Sequence, residues 1–200
     1  RTIIETFKTW REKDASIKLL VVCPINLIEN AWGNDIKKFS NFVYCNLRTE
    51  KIDKKADIYV TNYESLISEK QFIKIKNLVS VGLWACALDE SSRLKNPKGV
   101  TTKRCMAIRG HFVRRVPMTA TPCPNNAMEL WSQITFARSG ILPPKFGQFK
   151  DQYFCLTRGS QQLETKGLDR MAMARLFKQG FVFDFRPGMK EVLMRTIAPV

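Results

Sequence analysis

Histidine is almost missing from this sequence, with a single His111 in 200 residues. One histidine largely excludes a histidine-based catalytic triad and a metal site built from several histidines. The six cysteines are spread from Cys23 to Cys155 without a Cys-x-x-Cys pair, so no zinc-ligand pattern is present. This cysteine usage is typical of a reducing compartment. Any chemistry must therefore depend on carboxylates or on an external cofactor.

Long hydrophobic runs are also missing. No apolar stretch approaches the roughly 18 residues that cross a bilayer, and the first residues do not form a secretory signal. Hydrophobic residues nevertheless make up 44% of the chain and aromatic residues 10%, enough for a packed core. We expect a soluble intracellular protein, either nuclear or cytoplasmic in a bacterium or a virus-infected host, with no membrane partner.

Acidic residues are few relative to basic ones. The chain has 33 Lys and Arg against 18 Asp and Glu, which gives a formal net charge of +15. The excess is distributed along the chain and does not form a basic tail. Clustered basic side chains gain affinity for polyanions by displacing counterions from phosphates. A nucleic acid partner is thus one explanation, and a solvated lysine-rich surface is the other.

Apolar runs alternate with helical patterns over the first two thirds of the chain. Strands are predicted at 19–23, 42–45, 57–60, 83–88 and 112–118, and helices at 3–10, 26–36, 69–77, 100–109 and 127–136. This alternation predicts an α/β fold with a doubly wound, mostly parallel sheet. Gly140, Pro143, Pro144 and Gly147 interrupt the pattern. We therefore predict a domain at 1–138, followed by a helical C-terminal appendage at 139–200.

Two polar segments directly follow predicted strands, where ligands of such sheets bind. Asp89 and Glu90 come after strand 83–88, where one carboxylate can bind magnesium through water while the other orients an attacking water molecule. Thr119, Ala120 and Thr121 come after strand 112–118, and their hydroxyl groups can sense a nearby carboxylate or phosphate. Each segment alone is also compatible with a plain turn, the second with a helix cap at Thr121 or Asn125.

Four segments occur in the order and with the spacing of known motifs. Residues 88–97, Leu-Asp-Glu-Ser-Ser-Arg-Leu-Lys-Asn-Pro, resemble motif II of the Swi/Snf branch of superfamily-two helicase-like ATPases, which are related to DEAD/DEAH-box proteins. Residues 118–126 with the following Glu129-Leu-Trp131 resemble motif III. Residues 21–24, with Trp32 and 36–39, resemble motif Ia, and residues 61–66 resemble motif Ib. Together the four segments indicate this family, although any one of them alone would be a weak signal.

The resemblance implies a fold, cofactors and roles. It implies a RecA-like lobe of the P-loop NTPase type that uses ATP and Mg²⁺, with Asp89 organising magnesium through water and Glu90 as the base. By the same resemblance Thr119, Ala120 and Thr121 couple nucleotide state to DNA. The resemblance further implies a set of residues on loops that face the nucleic acid backbone: Pro24, Asn26, Thr61, Asn62, Tyr63, Arg93 and Lys95.

The implied function is that of the first motor lobe of an ATP-dependent DNA translocase or helicase. Its implied partners are duplex DNA, bound through the backbone, and a second RecA-like lobe of the same protein. Plainer interpretations of single residues remain: Asn26 as a helix cap, Tyr63 packed on the sheet, and Trp32 and Trp131 in the core.

The sequence departs from the family pattern in two places. Ser92 stands where the family has histidine, and the chain contains no Gly-x-x-x-x-Gly-Lys-Thr phosphate loop. Residues 1–5, Arg-Thr-Ile-Ile-Glu, resemble the start of the helix that follows this loop in the family, and the alternative is that Arg1-Thr2 replace its Lys-Thr. We therefore expect the 200 residues alone to hydrolyse little ATP. Two alternatives stay open: a non-catalytic nucleic acid-binding module, and a magnesium-dependent carboxylate hydrolase or nuclease.

Overall fold

The computed structural model describes residues 1–123 and 126–198, which form two compact units, Arg1–Ala137 and Arg138–Val200. The helices are α1 (Thr2–Lys13), α2 (Asn34–Phe39), α3 (Tyr63–Ile67), α4 (Glu69–Val79), α5 (Val100–Ile108), α6 (Leu130–Ala137), α7 (Phe146–Tyr153), α8 (Arg170–Lys178) and α9 (Met189–Ile197). The strands are β1 (Lys18–Cys23), β2 (Tyr44–Asn46), β3 (Ile58–Asn62), β4 (Trp84–Asp89), β5 (Phe112–Met118), β6 (Phe154–Arg158), β7 (Gln161–Leu163) and β8 (Val182–Phe185). Within the described residues, no helix is long and apolar enough to cross a membrane.

The first unit is built on a five-stranded parallel sheet with the order β2-β3-β1-β4-β5. β1 lies at the centre and is almost entirely buried, because apolar side chains emerge on both of its faces. Leu20 and Val22 point into a core on one face, and Leu19 and Val21 into a second core on the other, where Phe7 of α1 packs. The predicted doubly wound parallel sheet is confirmed.

The segment after β1 differs from its prediction. A continuous helix was expected at 26–36, but a π-helical segment at Ile28–Gly33 precedes α2. Glu29 in this segment accepts hydrogen bonds from Tyr44 Oη at 2.5 Å and from Asn46 Nδ2 at 2.7 Å, which ties the segment to β2. A Cβ on Gly33 would lie 2.9 Å from Glu29 Oε2 and 2.9 Å from Tyr44 Oη, so a larger residue would displace the ends of these two side chains and disturb their hydrogen bond.

The second unit corrects the prediction of a helical appendage. In addition to α7, α8 and α9 it contains a three-stranded antiparallel sheet with the order β7-β6-β8. The physical reason lies in residues 181–185, Phe-Val-Phe-Asp-Phe, whose apolar residues alternate with the period of a strand. Phe185 stacks on Phe154 with 4.7 Å between ring centroids. Gly159 has φ = 58° in the short turn between β6 and β7, a conformation that favours glycine.

Candidate nucleotide site

The carboxyl ends of β1, β4 and β5 lie side by side, and a cavity of about 250 Å³ is found next to them. Its lining combines the start of α1, the π-helical segment, the start of α2 and the ends of β4 and β5: Arg1, Thr2, Ile3, Ala31, Trp32, Asp35, Asp89 and Met118. The start of α1 carries unpaired backbone N–H groups and the positive end of the helix dipole. The start of α1 thus favours negative charge in a ligand, while the carboxylates of Asp35 and Asp89 favour a cation bound together with it.

Asp89 is the last residue of β4, and its position is held by three contacts. Its Oδ2 accepts a hydrogen bond from Trp32 Nε1 at 2.8 Å, and its Oδ1 accepts one from the backbone N–H of Glu90 at 3.1 Å. Its backbone carbonyl accepts a third from Tyr63 Oη at 2.7 Å. A carboxylate restrained by a rigid strand and by two neighbouring aromatic side chains is preorganised for binding a cation.

Glu90 has a strained backbone. With φ = 53° and ψ = 51° it lies in the left-handed region, where it is the sole non-glycine residue among those described. Such conformations cost about 1–3 kcal/mol and cluster at functional sites. Thr119 Oγ1 donates to Glu90 Oε2 at 3.4 Å, and the N–H of Thr121 donates to Thr119 Oγ1 at 3.2 Å. The two segments predicted to act together are thus adjacent in space.

The loop after β5 is only partly described. Thr119 is half-buried, and Ala120 and Thr121 are exposed. Pro124 and Asn125, which belong to the motif III resemblance and to the predicted helix cap, lie outside the described residues. Asn126 accepts a hydrogen bond from the N–H of Met128 at 3.0 Å, which caps the single 3₁₀ turn before α6.

Trp32 has a role that sequence analysis missed. Helical apolar spacing assigned it to the core, and it is 8% exposed with its ring packed beside α1 and β1. Its indole N–H, however, binds Asp89, 57 residues further along the chain. The signal that could have raised this possibility is the place of Trp32 in the segment that resembles motif Ia.

The predicted nucleic acid contacts divide into exposed and buried residues. Asn26, Arg93 and Lys95 are exposed and Pro24 is half-buried, all at the carboxyl edge of the sheet. Asn26 lies in a turn, and Leu27 takes the capping position, so the helix-cap interpretation of Asn26 is wrong. Sequence analysis missed Lys98, which is also exposed on the loop after β4.

Thr61, Asn62 and Tyr63 do not offer accessible side chains. They are 0%, 2% and 2% exposed, because β3 continues to Asn62 and pairs with β1 up to that residue. The prediction that these side chains face nucleic acid does not agree with their burial, whereas the packing of Tyr63 on the sheet is confirmed. Asn62 Nδ2 donates to Glu64 Oε2 at 2.8 Å, and Glu64 Oε1 pairs with Arg93 Nη1 at 3.7 Å. The buried residues therefore support the exposed ones.

Cys23 ends β1 near the same cavity, but its thiol is poorly suited to catalysis. Burial raises the pKa of Cys23 to about 12, and the nearby Asp89 and Glu64 carboxylates shift this pKa in the same direction. Because the thiolate is the nucleophile, Cys23 stays protonated and unreactive at neutral pH. The carboxylates of Asp89 and Glu90 remain the groups at this edge that are suited to chemistry.

The donor set fits magnesium only in combination with a ligand. Within residues 1–123 and 126–198, no group of three or more His, Cys, Asp or Glu side chains could hold a metal ion. Magnesium is usually bound by one or two carboxylates together with substrate phosphates. Asp89 and Glu90 match the protein part of such a site, and a polyphosphate would have to supply the rest.

Sequence comparisons show which known proteins this chain resembles. The chain is 26% identical over 200 residues to TATA-binding protein-associated factor mot1 of Schizosaccharomyces pombe, and 28% identical over 189 residues to DNA excision repair protein ERCC-6-like 2 of Mus musculus. These matches cover 94% and 88% of this chain but only 10% and 12% of the relatives, so the chain spans about a tenth of their length.

A solved structure shares the fold. The Sulfolobus solfataricus SWI2/SNF2 ATPase core in complex with dsDNA matches 98% of this chain and 36% of its own chain, with a TM-score of 0.68 and 23% sequence identity. The predicted RecA-like fold is confirmed by this match. The model of the SNF2-related domain family matches residues 2–179. The chain therefore belongs to the SNF2-related domain family, as the four motifs indicated.

Proposed function

We propose that this chain is the first motor lobe of an ATP-dependent DNA translocase and couples ATP hydrolysis to movement on DNA. The observation that carries the proposal is the strained Asp89–Glu90 turn, which lies beside the cavity at the start of α1 and is hydrogen-bonded to Thr119. Preorganised carboxylates next to an anion-favouring helix end are what phosphoryl transfer requires, since its catalysis is mainly positioning and electrostatic stabilisation.

Each residue of the turn has a distinct role in this proposal. Asp89 would hold Mg²⁺, and Trp32 and Tyr63 fix the position of Asp89. Glu90 orients the attacking water molecule and accepts a proton from it. Thr119 is hydrogen-bonded to Glu90 and so responds to whether Glu90 binds that water molecule. Bound Mg²⁺ neutralises charge on the phosphates of ATP. The start of α1 favours the negative charge of those phosphates.

DNA binding in the proposal uses the exposed loops at the same edge. Arg93, Lys95 and Lys98 lie in and after the 3₁₀ turn Ser91–Leu94 that follows β4, and Pro24 and Asn26 follow β1. Contacts of basic and small polar side chains with phosphates carry no sequence information, so we expect binding that is independent of base sequence. The names of relatives support a DNA-linked role, and the fold neighbour was solved with dsDNA. A second RecA-like lobe of the same protein would face this edge.

The test is ATP turnover by the full-length protein with and without duplex DNA, in the wild type and in Glu90→Gln. We expect DNA to stimulate turnover, and the variant to lose about 10²-fold or more of it, because the amide cannot accept the proton. A Glu12→Gln control, at an exposed position of α1 to which the proposal gives no role, should retain turnover. Stimulated turnover that persists in Glu90→Gln would contradict the proposal.

A non-catalytic nucleic acid-binding module is the second candidate. The encoded sequence upstream of Arg1 discriminates between the two: a Gly-x-x-x-x-Gly-Lys-Thr loop there supports the motor, and its absence from the complete reading frame favours the binding module. DNA binding by the full-length protein without any ATP turnover would support this candidate. We expect the isolated 200-residue chain to show little turnover in either case, because it lacks the loop amides and lysine that hold the β- and γ-phosphates.

A further inference from the structure

A buried polar pair connects the Asp89–Glu90 turn to α6. Ser91, which directly follows Glu90, is 0% exposed, and Gln133 in α6 is 4% exposed. Ser91 Oγ donates a hydrogen bond to Gln133 Oε1 at 2.7 Å, across 42 residues of sequence. Buried polar side chains are costly unless they are hydrogen-bonded, so this pair defines the spacing of the two segments it joins.

The same glutamine also reaches the loop after β5. Gln133 Nε2 donates to the backbone carbonyl of Pro122 and, at 3.4 Å, to that of Glu129. The orientation of the amide is determined by its partners, since a hydroxyl donor faces Oε1 and two carbonyl acceptors face Nε2. One side chain thus binds the residue after Glu90 and the loop that carries Thr119.

The connection through Ser91 and Gln133 matters because the backbone of the neighbouring Glu90 is strained. On its amino side, Asp89 is held by Tyr63 and Trp32. On its carboxyl side, Ser91 is held by Gln133. A left-handed glutamate persists only where its surroundings over-determine it, and these two sets of bonds restrain the turn from both sides.

We propose that Ser91 and Gln133 form a positioning pair that holds Glu90 in register with Thr119 on the loop after β5. Neither residue touches reacting groups; both act through Glu90 and the loop. The functional part of this inference rests on the proposed ATPase activity, whereas the structural part, the ordering of the loop by the pair, can be measured without ATP.

A double-mutant cycle separates positioning from simple stability. Ser91→Ala leaves Gln133 Oε1 without its donor, and Gln133→Leu leaves Ser91 Oγ without its acceptor, so each single variant is expected to lower stability. Replacing both partners by apolar groups can be nearly neutral for stability. The double variant leaves no unpaired atom between positions 91 and 133, but the Pro122 carbonyl loses its Gln133 donor in it as in Gln133→Leu. We therefore expect it to be at least as stable as Gln133→Leu, without the connection.

The chain offers a matched control in Ser132→Ala. Ser132 precedes Gln133 in α6 and is also buried, but within the described part of the chain its Oγ has no hydrogen-bond partner. Its replacement removes a buried serine hydroxyl from the same helix without affecting the connection. We expect Ser132→Ala to behave like the wild type in both measurements that follow.

The first measurement is hydrogen–deuterium exchange of the full-length protein without nucleotide or DNA. We expect the amides of Thr119, Ala120 and Thr121 to exchange about tenfold faster in both single variants and in the double variant. Exchange in β1 and β4 of the double variant should match the wild type. Wild-type exchange rates at residues 119–121 in all three variants would overturn the proposal.

The second measurement is DNA-stimulated ATP turnover by the same proteins. We expect the double variant to keep its KM for ATP within about twofold and to lose about tenfold in kcat, although it is no less stable than Gln133→Leu. Recovery of kcat in the double variant would overturn the positioning role. A wild type without turnover would contradict the proposed function alone, and the exchange data would still decide whether the pair orders the loop.

Discussion

The two edges of the parallel sheet both carry cavities, and the larger one is not the candidate site. At the amino edge a cavity of about 600 Å³ is lined by Lys18, Ile52, Lys54, Tyr59, Lys74, Asn77, Leu78, Val81 and Trp84. At the carboxyl edge the cavity next to Asp89 measures about 250 Å³. Size therefore does not identify the functional edge of this sheet.

The two edges differ in the partners of their polar groups. At the amino edge Lys18 Nζ donates hydrogen bonds to the carbonyls of Lys54 and Ala56 at 2.7 and 2.9 Å and to Tyr59 Oη at 3.2 Å. These bonds join β1 to the segment before β3 and to β3 itself. At the carboxyl edge Asp89 faces the cavity, and Glu90 beside it is strained. Polar groups that serve packing occupy one edge, and preorganised carboxylates occupy the other.

The largest effect that would test this contrast is expected at the amino edge. Trp84 is buried against Tyr59, with 5.2 Å between ring centroids, and its indole N–H binds the carbonyl of Val81 at 2.7 Å. Trp84→Ala should lower the free energy of unfolding by about 3–5 kcal/mol through lost burial and a cavity. Denaturant unfolding measures this loss. At a temperature where the variant stays folded, its ATP affinity should equal that of the wild type; a weaker affinity would mean that the edges are not independent.

A smaller effect is expected at the carboxyl edge, where a substitution should change magnesium-dependent ATP binding. Trp32→Phe removes the indole N–H that binds Asp89, and a hydrogen bond to a charged group contributes about 1.5–3 kcal/mol. We expect the magnesium concentration needed for half-maximal ATP binding to rise about tenfold, as measured by calorimetric titration of the full-length protein. Trp10→Phe, a half-buried tryptophan in α1, is the matched control. An equal shift in both variants would remove the special role of Trp32.

The smallest effect is expected for Glu90→Gly, and its effect on stability is opposite in sign to that of Trp84→Ala. Glu90→Gly relieves a left-handed backbone that costs a non-glycine residue about 1 kcal/mol or more, and this gain is partly offset by the greater flexibility of glycine in the unfolded chain. We expect unfolding free energy to stay unchanged or to rise by up to about 1 kcal/mol, while DNA-stimulated turnover is lost. A clear loss of stability in chemical denaturation would show that Glu90 is not strained in the folded protein.

Local patterns predicted much of the fold. Continuous apolar runs identified β1 and β4, because strands buried on both faces have no polar alternation. Residues 181–185 carried a strand pattern as well, but the glycine and proline residues before them led to a prediction of helices and loops. The π-helical segment escaped prediction because it depends on the contact of Glu29 with Tyr44 and Asn46, which no local pattern reveals.

The candidate site likewise divides into residues that local patterns predicted and long-range contacts that they did not. Asp89 and Glu90 were predicted because they directly follow an apolar strand in a known motif. The connections of Trp32 with Asp89 and of Ser91 with Gln133 span 57 and 42 residues, and sequence spacing carries no information about such pairs. The burial of Thr61 and Asn62 was missed because β3 extends two residues beyond its predicted end.

The sequence by itself determined the class of the sheet, the family and the two carboxylates, because apolar periodicity and motif order are local properties of the chain. Tertiary structure alone decided which predicted residues are exposed, which aromatic side chain restrains Asp89 and how Glu90 is held against Thr119. The physical reason is that hydrogen bonds and burial at the carboxyl edge arise between segments that only the packing of parallel strands brings together.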